Sequence, residues 1–527
     1  MIRDLSGSIV ALDERSADVL VIGAGIAGLL VATRLAQNGI RVLVAESGGR
    51  TQEEEKHPFN QVEQLGDTYL GAEHGRFRCL GGTSTRWGGA MLPFQEVDLD
   101  PHSAGWDIEW PIKLDALTSY QAELERMFGL NSGEYDFPDL LLDATGAPSS
   151  FMGRLAKWPA FRHRNVANLL ANDIRSEKGP IIWLNATATE FHFDPASRFI
   201  RTRLQSRNGN ALEVTARETV ITAGAIESTR LLLLADRQHD NRIFAPHNML
   251  GRYFYDHLSS PTARLTGMRK KALNRLVGFR FEGSTMRNLR FEPTADLRHR
   301  QGYPAGFLHI AFSETRPGGF DAVRRVYRKL QKGGTPTASE MMDLARGAPW
   351  LLKAAWWRFV EKRLLFPEGA ELDVHTVIEQ EPRAENRISL SQKRLDEFGC
   401  PLATLHWHVS ENDGRNAYAL TKAFVVTWNR GSLSHLAQVE LRTTEDELRT
   451  SLKLGGGIFH PGGTIRMGAD ASRGVVDPEF RTFGVSNLSV ISTAIFPTGG
   501  GANPTMMLMM AALRAADRLI QQSRRVQ

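Results

Sequence analysis

Between Asp18 and Glu46 the chain passes from an apolar run to glycines, then to a helical period, then to a second apolar run. "DVLVIG" is short, unbroken and apolar, the pattern of a strand buried on both faces of a parallel sheet. "LLVATRLAQNG" repeats its apolar positions with helical period, and "RVLVAE" returns to the buried-strand pattern. Strand, helix and strand in so short a span predict a βαβ unit. The middle of the chain differs. "LVGFRFEGSTMRNLRFEP", "FLHIAFS", "LDVHTVIEQEPRAENRISLS" and "ATLHWHVS" are β-rich and predict an antiparallel sheet. Residues 320–366 interrupt these strands with a helical period, and "PTMMLMMAALRAADRLI" closes the chain as a helix. The pattern predicts an α/β chain in which a doubly wound, Rossmann-like unit is joined to a mainly antiparallel sheet covered by helices.

The first turn carries chemistry. "GAGIAG" places Gly23, Gly25 and Gly28 between strand and helix. The first glycine allows the tight turn, the second lets a pyrophosphate reach the backbone, and the third lets helix and strand pack closely. The helix N-terminus then faces the phosphates with free N–H groups. Glu46 closes the second strand, where an acid accepts hydrogen bonds from a ribose diol and disfavours a 2′-phosphate. The motif alone does not separate FAD from NAD.

Composition narrows the class. The 527 residues are 42% hydrophobic and 23% charged, enough for two or three cores. A net charge of +5 is spread along the chain and gives no nucleic-acid signature. Cys79 and Cys400 form no CxxC, so the expectation is a reducing compartment, the cytoplasm, with no metal-binding cysteine set. No run of 18 apolar residues predicts a membrane span.

"CLGGTSTRWGGAMLPF", Cys79 to Phe94, is a second glycine-rich loop that can lay backbone N–H groups against a ligand. It resembles the first signature of the glucose–methanol–choline (GMC) flavoprotein oxidoreductases, and the "GGTSTRW" version resembles pyranose oxidases. The resemblance implies FAD, with Gly82, Thr83, Arg86, Trp87, Gly88 and Gly89 beside it. Arg86 stands where several members carry a histidine bonded to the flavin, which implies noncovalent FAD here. "ETVITAGAIESTRLLLLA" is similar to the family's second signature and implies that Ala223 and Gly224 pack near the cofactor. "WLNATATEF" resembles the strand whose backbone meets the adenine, at Ala188. His257, in "GRYFYDHL", fits the family pattern and is expected to be structural.

The resemblance extends through "FHPGGTIRMG" to "FPTGGGANPTMM". It implies that His460 and Asn503 are the catalytic pair beside flavin N5, with Ser492, Pro504 and Thr505 near the cofactor. Ser492 replaces the family's usual aspartate. The chemistry suits such loops. Alcohol oxidation removes a hydroxyl proton and a hydride, an imidazole is matched to neutral pH as the base, and an amide can donate to the forming alkoxide. The resemblance implies oxidation of a sugar or glycoside secondary alcohol, with oxygen or an outside electron acceptor. Alternatives are a non-redox flavin lyase of the same fold, or a dehydrogenase of a lipid-linked sugar or non-sugar alcohol at a membrane surface.

The resemblance places the FAD-binding domain at 1–100, 180–260 and 455–527, and the substrate domain at 101–179 and 261–454. Gln380 is a candidate to bind a sugar hydroxyl, with a structural duty the favoured reading. Residues 320–366 carry ten Lys or Arg against four Asp or Glu, and "WLLKAAWWRF" holds three tryptophans. Helices covering the sheet, a lid or an oligomer contact are the favoured reading, and peripheral contact with an anionic membrane is the other.

Overall fold

The computed structural model describes residues 1–7, 15–52, 57–313, 318–331, 335–367, 369–501 and 503–526. Its first sheet is built on Ser16–Ile22, an apolar strand with Val19 to Ile22 buried. Val42–Ala45 runs parallel on one side, with Ile22 opposite Ala45. Ala211–Ile221 runs parallel on the other, with Ile22 opposite Ile221. Ile181–Leu184 and Ile2–Asp4 extend the sheet outward, and Leu488–Val490 adds a further parallel strand against Ala211–Ile221. Two antiparallel strands, Thr187–Phe193 and Phe199–Gln205, complete it. The parallel strands therefore end together near Ile22, Ala45, Ile221 and Val490. Open parallel sheets bind ligands beyond such carboxyl ends.

Three helices start at that edge: Ile26–Gln37, Gly224–Arg237 and Thr505–Val526. The first is apolar on nearly every side, with nine of its residues buried, which suits a helix packed between the sheet and Thr505–Val526.

The second sheet is antiparallel throughout. Its spatial order is Gln438–Leu441, His257–Thr266, Glu371–Glu379, Gly306–Ser313, Thr285–Pro293, Phe151–Trp158 and Asp136–Phe137. Strand alternation gives it two unlike faces. Leu289, Phe291, Leu308, Ile310 and Val374 enter one apolar core with Phe424 and Trp428 of the Glu411–Arg430 helix. Arg290, Glu292, Phe307, His309 and His375 alternate onto the other face.

Two of the expected strands leave this sheet. Arg387–Leu395 and Pro401–Trp407 pair with each other and with Val62–Gly66 in a separate three-stranded sheet. The partner is more than 300 residues away in sequence, so local pattern alone could not assign it.

Candidate active site

The parallel-strand ends, the three helix N-termini and the loop at Gly82 enclose one cleft of about 1140 Å³, counting the open space at its mouth. Gly23 adopts φ +111°, and a Cβ on Gly28 would lie 1.9 Å from the Gly23 carbonyl oxygen, so the tight turn excludes any side chain there. The second glycine loop closes over the first. Gly81 N–H donates to Ala24 O at 2.9 Å, and a Cβ on Gly82 would come within 2.9 Å of Gly25 Cα.

Gly23, Gly25, Glu46, Gly82, Thr83, Ala223, Gly224, Ser492 and Thr505 all line the cleft. Gly28 supports it from behind. Glu46 is buried, and its two carboxylate oxygens accept from Ala24 N (2.8 Å) and Gly48 N (2.9 Å). It therefore braces the glycine turn as well as facing the cleft. Ser492 caps a short helical turn by accepting from Ala494 N, and Pro504 is buried without reaching the cleft.

Other expected contacts fall elsewhere. Arg86 is exposed and does not line the cleft. Trp87 donates its indole N–H to Arg164 O at 2.7 Å and packs into the core. Gly88 backs onto Trp158, and Gly89 onto Arg164. Ala188 is buried in its strand, away from the cleft, where Asn60 and Arg78 lie instead. Gln380 is fully buried and spent within the protein. Its amide donates to His408 O and accepts from Trp407 Nε1, both at 2.8 Å.

The structure adds cations the sequence reading passed over. Arg76 and Arg78 line the cleft and share the buried carboxylate of Glu227. Burial pushes Glu227 up, but Arg78, Arg230 and Arg76 outweigh it and hold its pKa near 2. The donor set fits a dinucleotide diphosphate: bare N–H groups at helix N-termini, two guanidiniums, and, among the described lining residues, no acid except the braced Glu46.

His460 and Asn503 meet at one end of this cleft. Their sequence neighbours Phe459, Pro461 and Thr505 line it. Asn503 Nδ2 lies 3.3 Å from His460 Nε2. Asn503 Oδ1 accepts from Arg290 Nη1 at 3.2 Å. A guanidinium has only donors, so the amide oxygen must face Arg290 and the NH₂ must face the imidazole. Desolvation, helped by the neighbouring His257 and Arg290, lowers the His460 pKa to about 3. The ring is neutral at pH 7, and its Nε2 lone pair faces the Asn503 amide N–H.

Buried carboxylates hold both loops. Asp256 accepts from the backbone N–H of His460 (2.8 Å), Phe459 (2.9 Å) and His257 (2.6 Å), and from the Tyr69 hydroxyl (2.7 Å). Burial raises its pKa to about 7. Glu379 accepts from Gly500 N at 2.7 Å and is likewise raised to about 7 by burial. Asp98 accepts from Gly501 N at 3.2 Å, and His257 Nε2 donates to Gly500 O at 2.7 Å. The expected structural duty of His257 thus has a definite form: its ring stands edge-on to His460, 5.4 Å between centroids. Asp256, His257 and His460 also cluster tightly enough to suggest a metal triad. The Asp256 oxygens, however, are already taken up by those four donors.

Residues 382–512 match the GMC oxidoreductase C-terminal family model, and residues 21–74 match the NAD(P)-binding Rossmann-like domain. In these two segments the chain is similar to GMC oxidoreductases and to Rossmann-like dinucleotide-binding domains. It is 23% identical to 6‴-hydroxyparomomycin C oxidase of Streptomyces lividus, over 95% of this chain and 91% of that relative. It is 24% identical to the fructose dehydrogenase large subunit of Gluconobacter japonicus, over 96% and 98%. In fold it is similar to pyridoxine 4-oxidase from Mesorbium loti, with a TM-score of 0.57 at 16% identity, over 95% of this chain and 99% of that structure.

Proposed function

We propose that the protein oxidises a hydroxyl of a sugar or glycoside, with His460 as the base and Asn503 as the alkoxide donor. The carrying observation is the His460–Asn503 contact at 3.3 Å, with the amide oriented by Arg290 and both loops pinned by buried carboxylates. The sugar assignment is supported by the relatives named above, which span this chain nearly end to end.

Bound FAD supplies the acceptor for the hydride, held by the Gly23–Gly28 turn, the Gly82 loop and the three helix N-termini. His460 Nε2 takes the hydroxyl proton, and low polarity around the ring keeps it unprotonated beforehand. Asn503 Nδ2 donates to the oxygen as it becomes an alkoxide, and its orientation is set before substrate arrives. Arg86, at the position of the family's flavin-linking histidine, offers no nucleophilic lone pair, which supports noncovalently held FAD. The two free thiols, Cys79 and Cys400, fit a reducing compartment such as the cytoplasm. The cofactor pieces 1–100, 180–260 and 455–527, with the substrate pieces 101–179 and 261–454, form the working division of this reading.

The test is anaerobic. Flavin absorbance is followed while free sugars, glycosides and simple alcohols are added in turn. Bleaching by sugars or glycosides that His460→Ala abolishes is the expected result. Bleaching by non-sugar alcohols alone would overturn the substrate class, and unchanged bleaching in the variant would overturn the base. Admitting air then separates an oxidase from a dehydrogenase by the rate of recovery, and acid precipitation should release all the FAD.

A further inference from the structure

Three helices, Gly319–Gln331, Ala338–Arg346 and Ala348–Phe359, leave the antiparallel sheet between two strands that pair directly with each other, Gly306–Ser313 and Glu371–Glu379. The sheet is therefore complete without them. Ala348–Phe359 is apolar on both sides. Its inner side buries Trp350 and Trp357, with the Trp350 indole N–H donating to Phe366 O at 3.3 Å. Its outer side carries Leu352 (75% exposed), Trp356 (60%) and Phe359 (75%), followed by Val360 (55%). The spacing puts them on one stripe. Met341 and Met342 add to the exposed apolar surface on the preceding helix. Of sixteen exposed large apolar residues in the described chain, seven fall in this excursion, so its exposure is a patch and not scatter.

The charges around the patch are one-sided. Glu340 is paired with Lys329, Asp343 with Arg325, and Glu361 with Arg275. Lys270, Lys271, Lys353 and Lys362 are exposed and form no salt bridge among the described residues. Three of these lysines, with the paired Glu361, rim a groove of about 1210 Å³, counting the open space at its mouth, whose wall includes Trp356 and Phe366. Ammonium groups at a rim beside an apolar floor match a phosphate headgroup above acyl chains.

We propose that this face is a docking surface for an anionic phospholipid bilayer. Contact is peripheral, since among the described residues no helix is long and apolar enough to cross a membrane. Trp356, Phe359 and Leu352 enter the headgroup–acyl boundary, and the unpaired lysines meet lipid phosphates. A second copy of the chain fits less well, because two such faces would oppose lysine to lysine.

The test is flotation of the FAD-loaded protein with vesicles of phosphatidylcholine alone or with one part in three of phosphatidylglycerol. Binding to the anionic vesicles is expected to be at least ~10-fold stronger, and to weaken as salt shortens the screening length. A Trp356→Ser/Phe359→Ser variant and a Lys270→Glu/Lys353→Glu variant should each lose flotation. Both should retain flavin reduction by a soluble substrate, as all four side chains are exposed. Absence of flotation, or equal binding to neutral vesicles, would overturn the proposal. So would concentration-dependent self-association that the Trp356→Ser/Phe359→Ser change removes. Inorganic phosphate that competes fully with anionic vesicles would reduce the site to a phosphate pocket and also overturn it.

Discussion

Arg290 shows how much one side chain can decide. It is buried, its guanidinium lies 4.1 Å from the centre of the Phe307 ring, and it makes an ion pair with Glu292 at 2.9 Å. Burial lowers its pKa to about 10, so it remains charged at neutral pH. Two effects on His460 follow: a fixed amide and a depressed imidazole pKa. Arg290→Met should therefore raise the apparent pKa of the acidic limb of kcat/KM, because a positive neighbour has gone. It should also slow flavin reduction by about 10- to 100-fold through the loss of a charged hydrogen bond. Arg290→Lys should return the pH limb toward wild type while restoring the rate only in part. His460→Ala should cost about 10²- to 10⁴-fold in flavin reduction, read by anaerobic stopped flow. The family resemblance put His460 and Asn503 together as a pair, and the structure brings the two side chains to 3.3 Å. Arg290 was not legible in the sequence: in "RNLRF" it is one polar position of an alternating strand, and only the packing of that strand over the Asn503 loop gives it a role.

Among elements, the glycine turn and the pinned loops carry the site. Gly28→Ala places a methyl group where the Gly23 carbonyl lies, so the purified variant should contain no FAD by absorbance. Asp256→Asn keeps one acceptor oxygen and turns an amide NH₂ toward at least one of the three backbone N–H groups that Asp256 now accepts from. It should cost about 1–3 kcal/mol in urea unfolding and lower kcat while FAD stays bound. The βαβ unit was readable because its period, its glycines and Glu46 all lie within one short stretch. Ala188, Trp87, Gly88 and Gly89 were placed by motif position; Ala188 and Trp87 pack with the core, and Gly88 and Gly89 back onto Trp158 and Arg164. Arg387–Leu395 and Pro401–Trp407 were recognisable as strands, but their partner Val62–Gly66 is fixed by tertiary packing, which local alternation does not encode.

For the whole molecule, the buried ionisable groups predict an asymmetric acid response. His257, His309 and His460 have pKa values held by burial near 4, 3 and 3. Their unfolded forms protonate near 6.5, so each withdraws stability as pH falls from 6.5 toward the folded value. Asp256 and Glu379 act oppositely. Their folded pKa values near 7 exceed the unfolded ones, so each adds stability as pH falls from about 7 to about 4. Between pH 6 and 4.5 the three histidines outweigh the two carboxyls, so these five groups leave a net loss of stability. Below about 4 the carboxyl gain is complete, and from about 4.5 downward Glu227, folded pKa about 2, joins the loss. Urea midpoints of the FAD-bound protein should fall gently from pH 7 to 5 and steeply below 4.5. A steep fall beginning at pH 6.5 would mean that Asp256 and Glu379 stay ionised in the fold.

The walls of the cofactor cleft come from Gly23, Glu46, Arg78, Gly82, Ala223, Pro461, Ser492 and Leu508, almost the full span of the chain. During synthesis on the ribosome, the first wall emerges hundreds of residues before the last. The strand Leu488–Val490 and the helix Thr505–Val526 must both be released before the cleft closes. FAD capture is thus among the final events in the birth of this protein. A polypeptide cut short between residues 46 and 488 carries the dinucleotide turn yet lacks the strand and helix that seal it, so bound flavin reports that both have been made.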